Sequence, residues 1–140
     1  MSKNSGSDGY DYEPIQEATE IIKKHYRKHW HSVGCALLTS DDSIYTSFNI
    51  DATVGRIAVC AEPIAIAQAL KDGKRRFETI VAVRHPDPEK GHDKYEIIPP
   101  CGMCREIATD YDMDISVLIE EGGKTLKMKM IDLLPYKYKR

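Results

Sequence analysis

Cys60-Ala61-Glu62 and the later Pro100-Cys101-Gly102-Met103-Cys104 are the two stretches on which the reading of this chain turns. Three cysteines and a glutamate so spaced read as a thiolate-bound zinc beside an acid/base carboxylate. A catalytic zinc takes about three protein ligands and keeps a position open for water. Cys60, Cys101 and Cys104 supply the three. The Cys101–Cys104 spacing is a short chelating unit at the start of a helix, and Cys60 closes the site from elsewhere. Helices expected over Glu62–Leu70 and Cys104–Thr109 would aim both N-termini at the sulfurs, which favours thiolates.

Glu62 lies two residues beyond Cys60, a poor position for a fourth ligand and a good one for proton transfer. Zinc lowers the pKa of water toward about 7, and a carboxylate within hydrogen-bond reach can carry the proton to a ring nitrogen and leaving amine. Hydrolytic deamination is the chemistry this set supports. A Cys-x-x-Cys alone also fits a redox dithiol or half of a structural zinc site, but neither explains the Cys-Ala-Glu. Four cysteines in 140 residues with no secretory signal disfavour a disulfide framework. Cys35, within Val33-Gly34-Cys35-Ala36-Leu37-Leu38, reads as a buried strand residue rather than a ligand.

The length suits one domain, residues 12–140, behind a flexible tail of Ser, Gly, Asn and Asp over residues 1–11. A net charge of −2 gives no footprint for a nucleic-acid polymer. No apolar run approaches the roughly 18 residues of a membrane span, so a soluble, cytoplasmic protein is expected. Ile15, Ala18, Ile21, Ile22 and Tyr26 recur at helical spacing and predict an amphipathic helix over Tyr12–His29, with Pro14 in its first turn. Val33–Thr39 and Ser43–Ile50 read as a hairpin turned by Ser40-Asp41-Asp42. A helix over Cys60–Lys71 follows, and Thr79–Val83 reads as a buried central strand with His85 at its end, a structural residue before a pocket residue. Residues 87–95 form a charged loop that continues through Ile97–Pro100 to the cysteine pair. Ile115–Ile119 is a further strand, Thr125–Met130 an edge strand and Ile131–Leu134 a helical turn. This order puts helices on both faces of a mixed central sheet.

On these residues the chain from about Tyr12 to Tyr138 resembles the cytidine deaminase superfamily, and within it the bacterial type of blasticidin S deaminase. The likeness is carried by Val33-Gly34-Cys35-Ala36, Ile50–Glu62 with Gly55-Arg56, Ile80–Pro86, Pro100–Arg105 with Asp110-Tyr111, and Leu133-Leu134-Pro135. It implies an α/β fold, a three-layer α/β/α sandwich of the cytidine deaminase type, with one Zn²⁺ per subunit and Glu62 as proton shuttle. It also implies a homotetramer in which neighbours complete each pocket. Asn49 and Asp51 fall where relatives bind the nucleoside sugar, and Tyr138 near a C-terminal aromatic that closes the pocket.

Two departures matter. Trp30-His31-Ser32 replace the usual pocket aromatics, and Pro63 stands where three-cysteine relatives commonly carry an arginine. Three thiolates on Zn²⁺ sum to −1, so Arg105 or Arg56 is expected to compensate. The substrate expected is a small aminopyrimidine nucleoside, foremost blasticidin S, whose carboxylate would meet Arg56 or Arg84, with water as co-substrate. A salvage cytidine or deoxycytidine deaminase is the alternative. A non-catalytic structural zinc protein is weaker, because no fourth ligand stands at suitable spacing.

Overall fold

A computed structural model describes residues 8–140, with side chains from residue 12 onward. The elements run α1 (Asp8–His25), β1 (Val33–Thr39), β2 (Ile44–Phe48), α2 (Ala61–Lys71), β3 (Phe77–Arg84), β4 (Glu96–Ile98), α3 (Gly102–Tyr111), β5 (Ser116–Glu121) and β6 (Lys124–Lys129). A short 3-10 turn, Met130–Leu133, follows β6. Of the expected tail, residues 1–7 lie outside the described residues. Helix α1 starts at Asp8, earlier than the expected boundary at 12, so Pro14 stands inside it rather than in its first turn.

The six strands form one mixed sheet in the order β2-β1-β3-β5-β6, with β4 also on β3. β1 pairs antiparallel with β2 and β3, β3 and β5 run parallel, and β6 returns antiparallel to β5. Gly122 and Gly123, at φ 59° and 80°, make that return in two residues, as a hairpin with both central residues left-handed requires. β4 was expected to be loop. It exists because β5 pairs only with Thr79 and Ile80, leaving the edge of β3 free at Ala82–Arg84 for Glu96–Ile98.

Alternation along the strands sorts the core into two layers. Ala36, Val81, Val83 and Leu118 face α1 and pack on Ala18. Cys35, Leu37, Ile80 and Val117 face the other way, onto Ala61, Ala65 and Ala69 of α2 and Ala108 of α3. The result is the expected three-layer α/β/α sandwich. Its tightest approach is at Gly34, where a Cβ would stand 2.3 Å from the carbonyl oxygen of Ala18 and 2.9 Å from Cβ of Ile22. Only glycine admits α1 this close to β1.

Candidate active site

Cys60 and Cys101 are the N-caps of α2 and α3, both in extended backbone, and Cys104 sits in the first turn of α3. The two helix starts meet. Sγ of Cys60 and Cys101 lie 3.7 Å apart and those of Cys101 and Cys104 3.5 Å apart. All three sulfurs fall within 4.8 Å of one another, a grouping that excludes Cys35, which is fully buried in β1. Zinc–sulfur bonds of about 2.3 Å at tetrahedral angles place sulfurs roughly 3.8 Å apart, so this trio fits zinc.

Glu62, 6% exposed, points its carboxylate at the same place: Sγ of Cys104 donates to its Oε1 at 3.4 Å. Burial pushes the Glu62 carboxyl above its ordinary pKa, against the pull of its own backbone N–H and of Cys104. Burial also raises the thiols of Cys60 and Cys104, with the neighbouring Glu62 charge second for Cys104. Cys101 goes the other way. Burial pushes it up, but the backbone N–H groups of Cys104 and Met103 and the adjoining sulfurs outweigh this and bring it below the usual thiol value. The start of α3 thus supplies stabilisation for one thiolate without any arginine.

The site is held to the sheet by three contacts that no motif announces. Ile50 and Val59 exchange backbone hydrogen bonds at 3.0 and 2.9 Å, closing the loop of residues 51–58 and drawing Asn49 and Asp51 beside Cys60. Ser47 Oγ donates to the carbonyl of Ala61 at 2.6 Å, fixing the start of α2 on β2. Buried Asp112, just past α3, accepts from the Phe77 N–H at 2.8 Å and so ties the end of that helix to the start of β3.

Above the sulfurs lies a cavity of about 260 Å³ lined by Val33, Asn49, Ile50, Asp51, Ala58, Val59, Cys60, Ala61, Glu62, Ile98, Pro99 and Cys101. Its walls are mostly apolar, its polar groups few and convergent, as for a small planar ligand. Asn49 Oδ1 accepts from the N–H of Ser32 and of Val33 at 2.8 and 2.9 Å, which leaves its NH₂ as the free donor. Asp51 Oδ1 accepts from the Ala52 N–H at 2.8 Å.

The remaining expected residues lie elsewhere. Arg56 is exposed on the 3-10 turn Gly55–Ile57 and does not line this cavity. Arg105 gives no hydrogen bond to a sulfur; its Nε donates to the Pro100 carbonyl at 2.9 Å and its Nη1 to the Leu133 carbonyl at 3.1 Å. Arg84 lines an adjoining polar cavity and pairs with Glu96 at 2.6 Å. His85 lines that same cavity, its ring stacked on Tyr26 at a centroid distance of 3.6 Å. Tyr138 is exposed beside Glu106, Asp110 and Tyr111, on the second half of α3 and away from the cysteines that begin it.

A cysteine trio that fits zinc, with a buried carboxylate on its inner side, at the meeting of two helix starts on a mixed sheet, defines a zinc-dependent deaminase. The sequence model described as the cytidine and deoxycytidylate deaminase zinc-binding region matches residues 10–119, and the chain belongs to that family. It is 44% identical over 130 residues to a blasticidin-S deaminase of Bacillus cereus, covering 93% of each chain. It is 30% identical over 120 residues to a probable cytidine deaminase of Dictyostelium discoideum, covering 86% of this chain and 74% of the other. Among solved structures, a cytidine deaminase of Burkholderia pseudomallei superposes with a TM-score of 0.72 at 25% identity, covering 91% of this chain and 98% of that one. The Mycobacterium tuberculosis cytidine deaminase reaches 0.72 at 20% identity, covering 96% and 99%, a likeness of fold.

Proposed function

We propose that the protein hydrolyses the exocyclic amine of the cytosine ring in a free nucleoside-type compound, with blasticidin S as the substrate and detoxification of that antibiotic as the purpose. The observation that carries the chemistry is the Glu62 carboxylate 3.4 Å from Cys104 Sγ at the floor of the apolar cavity. The substrate reading is supported by the blasticidin-S deaminase of Bacillus cereus, 44% identical over nearly its whole length.

Cys60, Cys101 and Cys104 would hold one zinc per subunit, which would supply Lewis acidity toward water. The pyrimidine lies flat between the apolar walls, with Asn49 NH₂ and the Asp51 carboxylate at its sugar end. Glu62 accepts a proton from the attacking water and returns it to the ring nitrogen, then a second to the departing amine. The carbon–oxygen bond forms as the ring nitrogen takes the first proton; the second comes from the hydroxyl now on that carbon, and its transfer to the amine accompanies breaking of the carbon–nitrogen bond, so that a carbonyl remains and ammonia leaves. Burial of Glu62 keeps bulk water from competing for these protons. The exposed Tyr138 reaches no reaction cavity of its own chain, which fits a homotetramer where it closes a neighbour's. No helix among the described residues is long and apolar enough to cross a membrane, in keeping with a cytoplasmic enzyme acting on small molecules.

A salvage cytidine or deoxycytidine deaminase is the second reading, favoured by the fold of the Burkholderia pseudomallei enzyme. Ammonia release from blasticidin S, cytidine and deoxycytidine, measured side by side, separates the two. Higher kcat/KM on blasticidin S is expected; equal or better turnover of cytidine puts the salvage reading in front.

A further inference from the structure

Beside the reaction cavity lies a second one of about 310 Å³, lined by Arg84, Lys28 and Lys90 together with Asp51 and Asp87. Asp51 lines both cavities, so the two meet at what would be the sugar end of a bound nucleoside. Strand register gives a second link. Arg84 stands directly opposite Val33 on β1 and opposite Glu96 on β4, and Ile98 stands opposite Ala82, two residues from Arg84. Residues so related share one face of a sheet. Val33 and Ile98 are walls of the reaction cavity, so Arg84 leaves the sheet on the side where the chemistry occurs.

Arg84 is under-used where it stands. A guanidinium offers five N–H donors. Its Nη2 meets Glu96 Oε1 at 2.6 Å, while Nε is buried and has no acceptor. Lys28 is held by Glu89 at 2.7 Å on the same rim. The Arg84 side chain remains 33% exposed beside its ion pair, so donors not taken by Glu96 can meet an oxyanion, and recognition of carboxylate or phosphate is what arginine does best.

We infer that this second cavity is a subsite for an oxyanion carried on the sugar side of the substrate, with Arg84 as its anchor. The inference rests on the deaminase reading for the base that occupies the first cavity. A carboxylated sugar, as in blasticidin S, and a sugar phosphate, as in cytidine 5′-monophosphate, offer the same chemistry; neutral cytidine offers none. The ratio of kcat/KM for an acidic substrate to that for cytidine reads the subsite directly.

Arg84→Gln is expected to lower that ratio by roughly ten- to hundredfold, through KM rather than kcat. Glu96→Gln, which frees Arg84 from its competitor, is expected to move the ratio the opposite way, a response that a purely structural ion pair would not give. Calorimetric titration of all three compounds into Glu62→Gln protein, with and without Arg84→Gln, reads affinity without turnover, so a failure of the deaminase reading leaves the subsite still tested. A response with blasticidin S alone assigns a carboxylate, and one with the monophosphate alone a phosphate. An unchanged ratio and affinity in Arg84→Gln, a fall of the ratio in both variants, or tighter binding of cytidine than of either acid overturns the inference.

Discussion

The two adjoining cavities are built in opposite ways. The reaction cavity takes its chemistry from two short contiguous stretches, each opening a helix, with ligands two or three residues from their partners. The polar cavity gathers single residues from the connection between α1 and β1, from Asp51 after β2, from the end of β3 and from the loop that follows it. Metal chemistry demands fixed donors at fixed separations, which a helix start supplies from adjacent residues. Recognition of a variable substituent needs only charge at a distance, which side chains remote in sequence can supply. On the subsite inference drawn above, reaction class would belong to one cavity and substrate choice to the other.

The division breaks most visibly at the cysteines. Cys104→Ala removes the one ligand that touches both another sulfur and Glu62, and it should lose metal and all measurable turnover together, with stability falling because binding and folding are linked. Metal content by atomic absorption and a thermal melt check this; a fully metallated, stable variant would mean that Cys104 is not a ligand. Glu62→Gln cuts more narrowly. The amide keeps the shape but moves no proton, so ammonia release should fall by roughly 10²–10⁴-fold with zinc retained. Near-normal turnover would remove Glu62 from its role.

The contrast also explains what the sequence disclosed. The α/β/α layering was legible because Val33–Thr39 and Thr79–Val83 are apolar runs and Ile15, Ala18 and Ile22 keep helical spacing. The cysteine trio and Glu62 were legible because short spacing survives folding unchanged. β4 was not, since three residues pair only because β5 stops short at Ile80. Nor was the link from Ile50 to Val59, two hydrogen bonds that leave no compositional trace. Arg56 stands far nearer a cysteine motif in sequence than Arg84 does, yet Arg56 is on an exposed turn and Arg84 beside the site. Strand register made that difference, and register is a tertiary property.

Gly34 tests the frame that both cavities share. A methyl group there meets a backbone carbonyl at 2.3 Å, and α1 can yield only by leaving the sheet. Gly34→Ala should cost about 1–3 kcal/mol in urea denaturation, the usual range for overpacking. Since α1 ends beside Lys28, the loss of acidic-substrate preference should exceed the loss of cytidine turnover. Equal losses would mean that the two cavities depend on α1 alike.

The smallest effect expected is at Arg105, where sequence and structure part. Excess thiolate charge called for a cation on sulfur, and Arg105 follows Cys104 directly. Its fork instead takes the carbonyls of Pro100 and Leu133, joining the loop ahead of the cysteine pair to the turn after β6. The need it was to meet is partly met by the backbone N–H groups of Met103 and Cys104, which bring the Cys101 thiol down without a side-chain cation. Hydrogen bonds from a charged donor are worth about 1.5–3 kcal/mol, and both of these are half-buried. Arg105→Gln should therefore lower stability by roughly that range or less, since glutamine can keep one of the two bonds. Zinc should stay bound and the pH–rate profile should hold its position, because the groups that face the sulfurs are unchanged. A profile displaced by a full pH unit in a variant of unaltered stability would return Arg105 to the role of counter-charge.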